Sequence, residues 1–173
     1  MKPCSMNKLT RLLGLRRPEG RLLRLLPLAV LSTANLWTAL TLPRPFPWGL
    51  LMQLLWAAAA EELLFRGLLF GLCRPQKAAP VLTALAFGAA HLLNLLSGAA
   101  WPQTLLQAGL AVLLGLVYGL LRLETGSILP GLLSHAALNA TSVFVREAWN
   151  PAAVGVQAAL LGLYGLRLWK NKP

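Results

Sequence analysis

Two adjacent glutamates with an arginine four residues on, Glu61-Glu62-Leu63-Leu64-Phe65-Arg66, close one of the most apolar stretches of a chain that has only five acidic residues. A carboxylate near the centre of a bilayer costs about 2.5–3.5 kcal/mol on insertion scales unless it finds a partner or water, so its default reading is a functional site facing a protein interior. Two further motifs supply partners: Phe87-Gly88-Ala89-Ala90-His91 and His135-Ala136-Ala137-Leu138-Asn139, which between them hold both histidines of the chain. A carboxylate and an imidazole can hold and deprotonate a water. A second imidazole and a carboxamide can donate hydrogen bonds to a developing oxyanion. This is a kit for water-activating hydrolysis, and it needs no serine or cysteine nucleophile. Ser134 adjoins His135, but consecutive helical residues do not face each other.

Helical spacing distributes the roles. Glu62 and Arg66 stand four apart and share a face, with the acid on the favourable N-terminal side. Glu61 points about 100° away from Glu62, so it faces something else and stays available for proton chemistry. Phe87 and His91 share a face, as do His135 and Asn139, and the small residues around them suit a close helix interface. Each motif alone also fits a structural role: surface charges at a helix end, a packing histidine, an interhelical hydrogen-bond patch. A shared site explains better why these polar residues concentrate in three apolar segments.

Those segments belong to a membrane pattern. The hydrophobic fraction of 57% and mean hydropathy of +0.62 exceed the roughly 45–50% apolar content of ordinary soluble domains. Only helices or closed barrels satisfy the backbone in lipid, and the apolar runs lack period-2 alternation. The expected fold is therefore all-α: one polytopic membrane helix bundle of about six transmembrane helices. Apolar length and breakers place them near Leu25–Leu42, Trp48–Phe70, Ala78–Leu96, Gln103–Leu121, Ile128–Phe144 and Pro151–Leu168. The breakers include Pro43-Arg44-Pro45-Phe46-Pro47, Arg74-Pro75-Gln76-Lys77 and Glu124-Thr125-Gly126-Ser127.

The net charge of +11 invites a nucleic-acid partner, but its distribution points to topology instead. With six spans and the N-terminus inside, thirteen of the sixteen basic residues fall on the cytoplasmic side, which is the positive-inside pattern. Only Arg44 and Arg146 fall outside, and Arg66 lies within a span. No nucleic-acid partner is expected. Residues 1–24, with leucines and arginines interleaved, read as a basic amphipathic segment resting on the cytoplasmic membrane surface, and residues 25–173 as the helical domain. A cleaved signal peptide ending near Ser32-Thr33-Ala34 is the competing reading, but cleavage would invert the charge-consistent topology. Cys4 and Cys73 both map to the cytoplasmic side and are expected as free thiols.

The run Glu61-Glu62-x-x-x-Arg66, then Phe87-x-x-x-His91, then His135-x-x-x-Asn139 resembles the three-motif signature of the CAAX-protease and bacteriocin-processing (abortive-infection) family, which includes the type II CAAX prenyl endopeptidases. Each motif is weak alone; all three in order on separate apolar helices are specific. The resemblance implies an intramembrane glutamate endopeptidase. In it Glu61 with His91 activates water, His135 and Asn139 form the oxyanion site, and Glu62 with Arg66 supports the site structurally. The expected location is a multi-pass protein of a bacterial-type plasma membrane, with both termini cytoplasmic by the charge distribution. Its partners would be the lipid bilayer and a peptide or protein substrate, prenylated or not. No HExxH is present, and neither a cofactor nor a metal is expected. Two rivals stand beside the protease: a non-catalytic membrane scaffold or bacteriocin-immunity-type protein built on the same polar core, and a small transporter.

Overall fold

The computed structural model describes residues 8–19, 28–30, 45–144 and 151–171, and among these every regular element is helical. A short α1 (Lys8–Leu13) precedes a long composite helix, α2. It runs as α-helix over Trp48–Glu61, as π-helix over Glu62–Leu69 and as a final α-turn over Phe70–Leu72. Then come α3 (Ala79–His91), flanked by 3-10 turns, α4 (Trp101–Thr125), α5 (Leu129–Ser142) and α6 (Pro151–Lys170). Most of the expected first span and the expected cleavage site lie outside the described residues, as does Cys4. Cys73 is a free thiol.

The punctuation is local chemistry. Prolines in the first turn open α3, α4 and α5, where the missing N–H is no loss and φ is already helical. Gly126 ends α4 at φ +67° and donates its N–H to Arg122 O at 3.0 Å, a left-handed cap that glycine adopts without strain. The observed helices track the expected spans to within a turn. Two stretches, Gln76–Ser97 and Trp101–Thr125, are long and apolar enough to cross a membrane. α5, with 14 residues, is shorter than the about 20 a spanning helix needs.

α3 and α4 pack most extensively, because glycines remove the side chains between them. A Cβ on Gly115 would lie 2.9 Å from Ala84 Cα, one on Gly119 would lie 2.9 Å from Pro80 Cα, and one on Gly88 would run into Val112. The main apolar cluster joins Val117, Tyr118, Leu120 and Leu121 of α4 to Leu161, Tyr164 and Leu168 of α6, with Leu28 against them. Outside, large apolar side chains are bare: Trp56 is 76% exposed, Leu96 84% and Leu133 69%. Such a surface suits lipid rather than water. Trp48 and Trp101, both exposed, open α2 and α4, matching an interfacial aromatic belt. Phe46 packs on Phe144 at 5.8 Å, so the start of α2 and the end of α5 share one end of the bundle. Residues 8–19 gather at the opposite end, docked on the bundle beside the last turns of α2 and α4.

Candidate active site

The acidic pair sits where α2 changes winding. Glu61 is the last residue of the α-helical part and Glu62 the first of the π-helical part. By helix rise, Glu61 lies about 20 Å along the axis from Trp48. A π-segment widens the turn to i→i+5 hydrogen bonding and occurs disproportionately at functional sites. Nothing in the propensities of Glu62–Leu69 predicts it.

Glu62 and Arg66 pair as their spacing predicts. Arg66 Nη1 donates to Glu62 Oε1 at 3.0 Å, and both side chains are fully buried. The guanidinium also lies over Phe87 at 4.1 Å, with Tyr118 at 5.6 Å and Phe65 at 5.9 Å. These aromatic faces offer it cation–π stabilisation, which matters because Arg66 Nε and Nη2 have no hydrogen-bond acceptor among the described residues. Two glycines make the room. A Cβ on Gly115 would come within 2.9 Å of Arg66 Nη2, and one on Gly131 within 3.2 Å of Glu62 Oε2.

His135 of α5 then draws the glutamates together. Its Nδ1 is 3.1 Å from Glu62 Oε1, and its Nε2 is 3.5 Å from Glu61 Oε2. The 100° step predicts that the two carboxylates look toward different neighbours. Instead one flat ring takes both, offering a nitrogen to each. Because Glu62 accepts from Arg66 as a carboxylate, Nδ1 is the nitrogen that carries the proton toward it. Nε2 then faces Glu61 across 3.5 Å, a contact that becomes an ion pair only when the ring carries a second proton. Burial separates the acids: the Glu61 side chain is 35% exposed and the Glu62 side chain 0%.

His91 and Asn139 join through neighbours. His91 Nδ1 donates to Phe87 O at 2.9 Å, which leaves Nε2 as the acceptor whenever the ring carries a single proton. Both imidazoles stand edge-on to the same ring, His91 at 4.7 Å and His135 at 5.8 Å from the Phe87 centroid. Asn139 Nδ2 donates to Leu54 O at 3.1 Å, clamping α5 to α2 and leaving its second N–H free of that bond. Ser134, beside His135, accepts a 3.0 Å hydrogen bond from the buried Tyr118 hydroxyl. Tyr118 is a neighbour of the site that motif reading passes over. The available signal was a phenol in mid-span, whose hydroxyl must find a partner when buried. Among the described residues no three of His, Cys, Asp and Glu are grouped to hold a metal.

A family model described as type II CAAX prenyl endopeptidase Rce1-like matches residues 43–141, more than half of the chain and a range that includes Glu61, Glu62, Arg66, His91, His135 and Asn139. No curated protein and no solved structure matches the chain.

Proposed function

Because the chain belongs to the Rce1-like type II CAAX prenyl endopeptidase family, a family of membrane-integral proteases, we propose that it is a glutamate-type intramembrane endopeptidase. One observation carries the reading. Of two adjacent carboxylates, Glu62 is sealed and neutralised by Arg66, while Glu61 is partly exposed and touches an imidazole. Glu61 is the general base. It takes a proton from a water that His91 Nε2 helps to hold, and the hydroxide oxygen bonds to the scissile carbonyl carbon. The oxyanion accepts hydrogen bonds from Nε2–H of His135 in its doubly protonated form and from the second N–H of Asn139. Collapse breaks the C–N bond, and the proton on Glu61 passes to the leaving amine. Glu62 fixes the His135 ring through Nδ1, a supporting role like that of outer-shell carboxylates elsewhere.

The substrate is a peptide at the membrane: a prenylated C-terminal tail, a leader peptide or a membrane-protein tail. The test is cleavage of a quenched peptide library, prenylated members included, by protein in liposomes. Wild type should cleave and Glu61→Gln should not, with equal thermal stability. The Asn139–Leu54 bond favours a second reading, a scaffold whose polar core serves helix association. A scaffold gives no cleavage, and Glu61→Gln would then leave its partner binding unchanged.

A further inference from the structure

The buried guanidinium of Arg122 lies in the last turn of α4, one turn beyond Tyr118. Its Nη1 donates to Gly126 O at 2.6 Å, and its Nη2 to Arg11 O at 3.0 Å and Leu12 O at 3.2 Å. It also lies 5.5 Å from the Phe70 ring of α2. One cation thus ties the end of α1 to the α4–α5 turn and touches the helix that carries the glutamates.

The arm it holds is built to be held. α1 closes with Gly14 at φ +68°, where Leu15 N donates to Thr10 O at 3.0 Å and Gly14 N to Arg11 O at 3.2 Å. This end motif satisfies two of the last carbonyls, and Arg122 takes the carbonyls of Arg11 and Leu12. Gly14 must also lack a Cβ, which would run into the Arg122 guanidinium. Four more links pin the arm: Ile128 N to Gly14 O at 3.1 Å, Glu19 N to Thr125 O at 3.0 Å, Arg16 Nε to Gly126 O at 2.7 Å, and Ser127 Oγ to Arg16 O at 2.5 Å.

Pinned there, α1 presses on the segment that follows the active glutamates. Gly67, in the π-segment, and Gly71, one turn later, are both buried. A Cβ on Gly67 would lie 3.3 Å from Leu13 O, and one on Gly71 would lie 2.5 Å from Leu12 O and 2.7 Å from Leu12 Cδ1. The arm backbone therefore occupies the space where side chains of α2 would otherwise stand. We propose that residues 8–19 form a wedge that fixes the π-helical segment of α2, and that Arg122 is a positioning residue for Glu61 and Glu62 through that wedge.

The test uses the full chain in liposomes with two readouts, amide hydrogen exchange over 62–69 and turnover of a cleaved peptide; only the second rests on the endopeptidase reading. Two variants are compared. Gly71→Ala introduces the better helix former yet drives a methyl into Leu12, and Arg122→Lys keeps the charge but loses the fork. Both should raise exchange over 62–69 on the order of tenfold, with α6 unchanged. Both should lower kcat on the order of tenfold at constant KM, since small misplacements of catalytic groups have large rate effects. Adding Leu12→Ala to Gly71→Ala should restore part of the protection. The wedge is overturned if Arg122→Lys frees amides 8–13 while 62–69 exchange at wild-type rates, or if Gly71→Ala leaves those rates untouched. If wild type cleaves no peptide, the endopeptidase reading fails and the exchange data still decide the wedge. If Arg122→Lys does not fold, Gly71→Ala decides it.

Discussion

Two buried arginines, Arg66 and Arg122, solve the same physical problem in different ways. Arg66 meets a carboxylate, Glu62, and lies across the Phe87 face. Arg122 meets only carbonyl oxygens, those of Gly126, Arg11 and Leu12, with Phe70 alongside. The first arrangement is a neutral ion pair inside the bundle; the second is a cation solvated by backbone dipoles at its end. Each arginine therefore depends on its partners to a different degree. Removing Arg66 strands a desolvated charge, whereas removing Arg122 strands only dipoles. The ion pair joins two residues of α2 within the polar cluster, and the carbonyl clamp joins α1 to the α4–α5 turn.

The sharpest break in that comparison is Arg66→Met. It should destabilise by about 3–5 kcal/mol, the range for leaving one member of a buried pair uncompensated, measured by denaturant or thermal unfolding in detergent. Arg66→Met combined with Glu62→Leu should recover much of the loss, since apolar replacement of both partners removes the stranded charge. A double variant as unstable as the single would mean that packing, not charge, dominates there. Arg122→Ala should cost less, about 1–3 kcal/mol from unsatisfied buried carbonyls, and its effect should concentrate in the exchange of residues 8–13.

Gly115→Ala comes next. Its methyl would meet Ala84 and the Arg66 guanidinium together, and overpacking of that kind costs about 1–3 kcal/mol. The same change at Gly109, where a Cβ would meet nothing within 4 Å among the described residues, should be neutral or mildly stabilising. Asn139→Ala removes one interhelical hydrogen bond and should cost about 0.6 kcal/mol, the average for such bonds in membrane bundles. Glu61→Gln should move stability least, within about 0.5 kcal/mol, as expected for a partly exposed side chain. Yet it should lower turnover about 10²–10⁴-fold, the range for loss of a general base. A large stability change at Glu61 would erase the distinction between it and Glu62.

Much of this was legible in the residues. The apolar runs and their proline and glycine breaks located the helices to within a turn, because length and punctuation are local properties. The Glu62–Arg66 pair was legible too, since four residues of separation bring side chains together on an ordinary helix and on the wider one found here. The three motifs identified the polar residues worth following, and their order carried the family resemblance. None of these inferences required knowing how the helices pack.

What only the tertiary structure decided depends on partners far apart in the chain. The π-segment reorients the residues around Glu61 and Glu62, and its position is set by Leu12, Leu13, Phe87 and Gly131, which no spacing rule connects to it. His135 bridges two carboxylates that helical geometry alone would turn apart, because an imidazole has two nitrogens and α5 delivers the ring between them. Arg122 reads in sequence as one more cytoplasmic charge in a basic pattern. In the fold it is buried, because the chain end returns to present carbonyls to it. Local chemistry named the groups and the helices. Which groups meet, and which acid is left partly open for chemistry, was decided by packing between residues 73 to 111 positions apart.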